Sequence, residues 1–146
     1  QKIVNRFLFN AVKNSEEKLI RKGLPITSGR MVAEQSFGFW TELFENHHYK
    51  ILRGIPIQVF KYLPAGFGRS EVLNELTRIR KFRNRINHNE PICFSNKTID
   101  FTPAMMVHQS LCNLFYWIDL DLHQWISTLD MVESVVKNGQ NSYDLL

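Results

Sequence analysis

The stretch SEVLNELTRIRKFRNRINH, Ser70 to His88, decides the fold class. Val72, Leu76, Ile79, Phe82 and Ile86 step by four and three, the spacing that stacks apolar side chains on one helix face. Ser70 is placed to cap this central helix, with Glu71 at its favourable positive end. Pro91 disfavours helical geometry at Glu90, so the helix should end near Asn89.

Working outward, the helical period recurs on both sides. Upstream, Pro64–Ala65–Gly66–Phe67–Gly68 reads as a loop, and Ile51 to Leu63 is broken by Gly54 and Pro56. Val32, Phe39, Trp40, Leu43 and Phe44 give one helix from Thr27 or Ser28 to about Glu45. Before it, Val4, Leu8, Ala11 and Val12, continued by Leu19 and Ile20, mark a helix over Gln1–Lys22. Gly23 and Pro25 stop it, and Asn14 followed by Glu17 suggests a kink near Asn14–Ser15. Downstream, Pro91 to Ile99 is extended or loop. Thr102–Pro103 then opens a helix with a capping threonine. That helix runs through Leu111–Ile118, pauses near Asp119–Asp121 and resumes through Trp125, Ile126 and Leu129 to about Lys137. Asn138 to Leu146 is polar and reads as a frayed tail. The expected architecture is an all-α bundle, one domain over 1–146.

With 146 residues, 44% of them hydrophobic and 12% aromatic, the chain can bury a core without disulfide or metal staples. Cys93 and Cys112 form no CxxC pair and read as reduced thiols, which makes the cytoplasm the default compartment. The longest apolar run, Leu114–Ile118, is far short of a membrane span. Gln1 to Arg6 shows no signal-peptide pattern, and Gln1 is no initiator, so the chain reads as a fragment or processed form. Trp40, Trp117 and Trp125 occupy core-like positions.

Net charge is +4, with a pI near 9.2. Arg78, Arg80, Lys81, Arg83 and Arg85 place five of the 18 Lys and Arg residues within eight positions, with no acid among them. Beside the motif they precede, they point to a phosphate-facing patch. Other constellations are missing. Gly66-Phe67-Gly68 lacks a third glycine and a preceding strand, and no paired carboxylates, HExxH or Cys/His ligand spacing stands out, so no metal or cofactor is expected. His47 and His48 read as loop or surface residues, and His108 and His123 as single structural histidines. Asn96–Lys97–Thr98 matches a glycosylation sequon, relevant only in a secreted protein.

What remains is Arg83–Asn84–x–x–x–His88. Cutting RNA without a metal requires that the 2′-hydroxyl lose a proton, the leaving 5′-oxygen gain one, and the extra charge on phosphorus be neutralised. Histidine suits both proton transfers, arginine matches phosphate oxygens, and an amide orients either. Asn84 and His88, four apart, share a helix face. Arg83 and His88, five apart, diverge by roughly 140°. Two copies of the helix facing each other across a two-fold axis bring both sets to one cleft, which makes a symmetric homodimer part of the chemistry. The plainer alternative is a helix end whose cations complement the C-terminal dipole.

The segment Arg83-Asn84-Arg85-Ile86-Asn87-His88-Asn89-Glu90-Pro91-Ile92 resembles the hallmark of the Abi-like family of bacterial abortive-infection proteins, within the HEPN superfamily. A second block is similar too: Gly29-Arg30-Met31-Val32-Ala33-Glu34, Phe37-Gly38-Phe39-Trp40 and Leu43-Phe44. Trp117-Ile118 and Trp125-Ile126 also suit it, so the likeness spans about Ser28 to Leu129. Asn87 and Asn89 depart from the pattern, which commonly has alanine and a second histidine there. Glu90–Pro91 reads as a helix stop whose carboxylate pairs Arg85. The resemblance implies a HEPN-like helical bundle, a native region preceding the part seen here, and a homodimer cutting RNA without a metal. Arg83, Asn84 and His88 would be the catalytic set, with Arg78, Arg80, Lys81 and Arg85 as RNA contacts. It also implies a toxin or phage-defence role, with a cognate antitoxin or larger defence complex as further partners. A non-catalytic module binding RNA, nucleotide or protein through the same groove is the alternative, and a purely structural dimer a third.

Overall fold

The computed structural model describes residues 6–95 and 98–143, with side chains for 6–95 and 98–140. It is mostly helical, as expected, and the chain divides into two compact units, Gln1–Arg53 and Gly54–Leu146. Val4, Asn96 and Lys97 lie outside the described residues, so the sequon and the start of the first stripe do too.

The first unit is built on α1, Phe7–Arg21. Its inward stripe is Leu8, Ala11, Ser15 and Leu19, while Val12 and Ile20 are exposed. No break divides the helix at Asn14–Ser15. Ser15 is buried within an unbroken helix, its Oγ accepting from Gln35 Nε2 at 3.1 Å. Gly23, at φ +64°, ends α1 as a left-handed residue should: Gly23 N–H donates to Ile20 O at 2.9 Å and Leu24 N–H to Leu19 O at 3.0 Å.

The helix expected from Thr27 or Ser28 to Glu45 is two helices, α2 (Ser28–Ala33) and α3 (Phe37–Glu42). Thr27 caps the first. Ser36 divides them by capping the second, its hydroxyl accepting from Phe39 N–H at 3.3 Å. Gln35, just before the break, donates to Met31 O at 3.0 Å as well as to Ser15. Both helices pack on α1. The His47–His48 pair lies in α4, Asn46–Ile51, not in a loop. His47 is exposed, but His48 is 6% exposed, its Nδ1 3.2 Å from Glu42 O and 3.7 Å from Glu42 Oε1. The two rings meet edge-on, with centroids 5.3 Å apart, and only His47 reaches solvent.

The second unit opens with a short 3-10 helix, Ile55–Val59, inside the stretch expected to be broken. The Pro64–Gly68 loop closes with Phe67 N–H on Pro64 O at 3.0 Å and leads into α5, Arg69–Asn87. The cap is not Ser70 but Gly68, two residues earlier. Glu71 reaches back so that Oε2 accepts from Gly68 N–H at 2.8 Å, and its other oxygen takes the Ser70 hydroxyl at 2.9 Å. After α5 a two-residue antiparallel pair, β1 (Phe94–Ser95) and β2 (Thr98–Ile99), fills the extended segment. The next helix, α6, is Thr102–Ile118, with Thr102 its first helical residue and not its cap; the Thr102 N–H donates to Asp100 Oδ1 at 2.9 Å.

Helices α5 and α6 pack along each other and form the core. Val72, Leu76 and Ile79 are buried from one, and Val107, Ser110, Leu114 and Trp117 from the other. Phe67 stands edge-on to Trp117, with ring centroids 5.7 Å apart. Asp119 breaks the helix where a pause was expected, capping α7, Leu120–Ser127, through Leu122 N–H at 2.9 Å. A second break was not expected. Asp130 caps a separate α8, Val132–Tyr143, which carries helix through part of the segment read as a frayed tail. A β-carbon at Gly139 would lie 3.1 Å from the Phe101 ring, so glycine permits that close approach. Of the three tryptophans only Trp117 is core. Trp40 is exposed, edge-on to Phe39, and Trp125, on the outer face of the short α7, is 62% exposed. Among the described residues no helix is long and apolar enough to cross a membrane.

Candidate nucleic-acid interface

The Arg83–His88 segment occupies the last turn and a half of α5, beyond the part that meets the core. Arg83, Asn84 and His88 are exposed. Ile86, the next member of the buried stripe, is 49% exposed, so the apolar face loses its cover where the motif begins. Among the described residues no hydrogen bond or ion pair engages the side chains of Arg80, Lys81, Arg83, Asn84 or His88.

The backbone fixes the segment firmly. His88 is the C-terminal cap of α5, its N–H donating to Asn84 O at 3.0 Å. Asn89 adopts φ +54°. Its N–H donates to Ile86 O at 3.0 Å and that of Glu90 to Arg85 O at 2.9 Å, a Schellman ending of the same form as at Gly23. Asparagine is the non-glycine residue best suited to that left-handed position, which gives the departure at Asn89 a backbone reason. Arg85 then ties the exit down, donating from Nη2 to Pro91 O, with Nε 3.5 Å from Glu90 Oε2. The expected pairing of Arg85 with Glu90 is present. His88 is thus held at a defined helix end with its imidazole free.

The basic cluster splits between two faces. Arg78, Lys81 and Arg85 rim a groove of about 310 Å³ between α5 and α6, floored by Phe82, Met106 and Val107. Arg83 lies about 200° round the helix from both Lys81 and Arg85. Arg78 is committed within the chain: Nη1 donates to Glu75 Oε2 and to Ser110 Oγ, each at 2.7 Å, joining α5 to α6. Arg85 is committed too, to Pro91 O and Glu90, so Lys81 is the groove's most available cation. The structure therefore gathers Arg78, Lys81 and Arg85 at the groove, while helix geometry sends Arg83 and His88 to faces roughly 140° apart.

Two polar clusters escaped the sequence reading. One is the buried His48–Glu42 contact. The other joins His108, Cys112 and Asp130, whose nitrogen, sulfur and oxygen atoms all lie within 4.8 Å of one another. Burial, together with the Asp130 and Glu133 carboxylates, pushes the Cys112 thiol above its ordinary range. The four-residue spacing of His108 and Cys112 is too common on helices to stand out as a ligand motif, and the arrival of Asp130 depends on the break before α8. Comparison with protein-family models, curated proteins and solved structures gave no match.

Proposed function

We propose that the chain is a metal-independent endoribonuclease of the HEPN type, cutting RNA in a cleft completed by a second copy. The observation that carries this reading is the bare end of α5. Arg83, Asn84 and His88 are exposed and uncommitted there, beside Ile86, whose stripe is buried everywhere earlier in the helix except for the half-buried Phe82. An uncovered continuation of a core stripe suits a partner helix, and a two-fold partner returns the same Arg and His to the same cleft.

In that cleft one His88 imidazole takes the 2′-hydroxyl proton as the 2′-oxygen bonds to phosphorus. The P–O5′ bond breaks as the other copy's His88, protonated, gives its proton to the leaving oxygen. The products are a 2′,3′-cyclic phosphate and a 5′-hydroxyl. Arg83 neutralises the non-bridging oxygens and Asn84 orients the phosphate or the imidazole. The resemblance of the motif to Abi-like proteins favours a toxin or phage-defence setting. The groove lined by Lys81 and Arg85 favours a second reading, RNA binding without turnover.

Incubation with a mixed RNA pool in chelator separates the two. Cleavage leaving cyclic phosphate ends should persist in chelator and fall by about 10²–10⁴-fold in His88→Ala, the range general acid–base catalysis supplies. A folded His88→Ala protein that cuts as well as the wild type would remove the ribonuclease reading.

A further inference from the structure

We infer that His108, Cys112 and Asp130 form a binding site for a zinc-class divalent cation, which ties α6 to α8. His108 and Cys112 lie one turn apart on the same face of α6, with Nε2 3.7 Å from Sγ. A tetrahedral zinc, with bonds of about 2.0 Å to nitrogen and 2.3 Å to sulfur, needs those atoms roughly 3.5 Å apart. Asp130 Oδ2 hydrogen-bonds the same Nε2 and brings the third donor from the start of α8, so an entering ion replaces that shared proton and spreads the pair. Asp130 Oδ1 is already held by Val132 N–H at 3.0 Å, which aims Oδ2 at the cluster as an outer-shell hydrogen bond does at metal carboxylates.

The donor set explains itself better with a cation than without. A single proton on Nε2 satisfies one neighbour, whereas a divalent ion satisfies nitrogen, sulfur and oxygen together. Thiolate and carboxylate also cancel its two charges, so little net charge is left in a half-buried place. The His108 and Asp130 side chains are 14% and 23% exposed, enclosed enough to strip water from the ion and open enough to admit it. Imidazole with thiolate selects zinc over magnesium or calcium, which prefer oxygen alone. Asp130 also borders a cleft of about 540 Å³ with Glu133, Ser127 and Lys137, from which a water can complete the fourth position. The cluster shares no residue with the Arg83–His88 motif, so the two proposals stand or fall separately.

The test is cobalt titration of the full, metal-stripped chain. One equivalent should bind with a thiolate-to-cobalt charge-transfer band, zinc should displace it, and zinc should raise Tm by several degrees through mass action. Cys112→Ser should abolish the band, while Cys93→Ser should keep it. Asp130→Asn retains the helix-capping oxygen but loses the charge. Its affinity should fall by more than the roughly 10–100-fold that loss of an outer-shell partner costs. The inference is overturned by the absence of the band in the wild-type chain, by its survival in Cys112→Ser, or by unchanged affinity in Asp130→Asn.

Discussion

Between Val72 and Ile79, α5 closes its apolar face against its own chain, whereas Ile86 on the same stripe stands in solvent. The basic residues divide in a parallel way. Arg78 is spent on Glu75 and Ser110, while Arg83, five residues later, has no partner among the described residues. A residue's type is therefore a poor guide to its use along this helix. Position relative to the end of the core decides it, because the helix up to Ile79 is needed to hold α6 and its last turns are not.

The widest expected separation between the halves is in stability against assembly. Leu76→Ala removes buried methyl groups next to α6 and should cost about 2–5 kcal/mol in urea denaturation, without regard to protein concentration. Ile86→Glu places a charge on the bare part of the stripe. It should leave single-chain stability within about 0.5 kcal/mol yet shift sedimentation from dimer to monomer. If the wild-type chain sediments as a monomer, or if Ile86→Glu remains a dimer, the uncovered stripe is not the interface.

A smaller contrast divides the two arginines. Arg78→Ala loses the ion pair to Glu75 and a charge-assisted bond to Ser110, so about 1–2 kcal/mol of stability should go. Arg83→Ala should be almost silent in denaturation. Its effect should appear instead in RNA binding, as weaker affinity and a salt slope reduced by about 0.7–1 for a phosphate contact. Equal stability losses in both variants would mean that Arg83 is structural after all.

Much of this division was legible before the structure. The four-and-three spacing located α5, Gly23 and Asp119 marked real helix ends, and Glu90 was paired with Arg85 from sequence alone. The breaks at Ser36 and Asp130 were not legible. Either side chain can sit on a helix surface or cap a new helix, and partners from elsewhere settle the choice: Gln35 reaches back to Ser15, and Asp130 meets His108. The same limit hid the His108–Cys112–Asp130 cluster, of which the sequence displayed only the two members on one helix. Trp125 misled for another reason. Its aromatic character fits a core, but a helix of eight residues between two breaks cannot bury both its faces. At the candidate site, the motif's helix-end position was readable, and its loss of cover was not.

The two ends of α5 give the finest comparison, because they satisfy their backbone groups differently. The C-terminal end closes its helix carbonyls with backbone N–H groups through the left-handed Asn89, whereas the N-terminal end depends on the Glu71 carboxylate. The bond from Gly68 N–H, with help from Ser70 and Arg69, holds the Glu71 carboxyl below the ordinary glutamate range. A depressed carboxyl stabilises the folded state fully above the unfolded value of about 4.3 and loses that contribution as pH falls through the folded value. Glu71→Gln keeps an oxygen able to accept from Gly68 N–H but carries no charge at any pH. The variant should therefore be slightly less stable than the wild type at pH 7, and the difference should close as pH drops below about 4. Urea midpoints of the two proteins across that window measure it, since the other carboxylates cancel in the difference. A gap of constant size down to pH 3 would mean that the cap works through shape alone, and that the charge on Glu71 adds nothing to the start of α5.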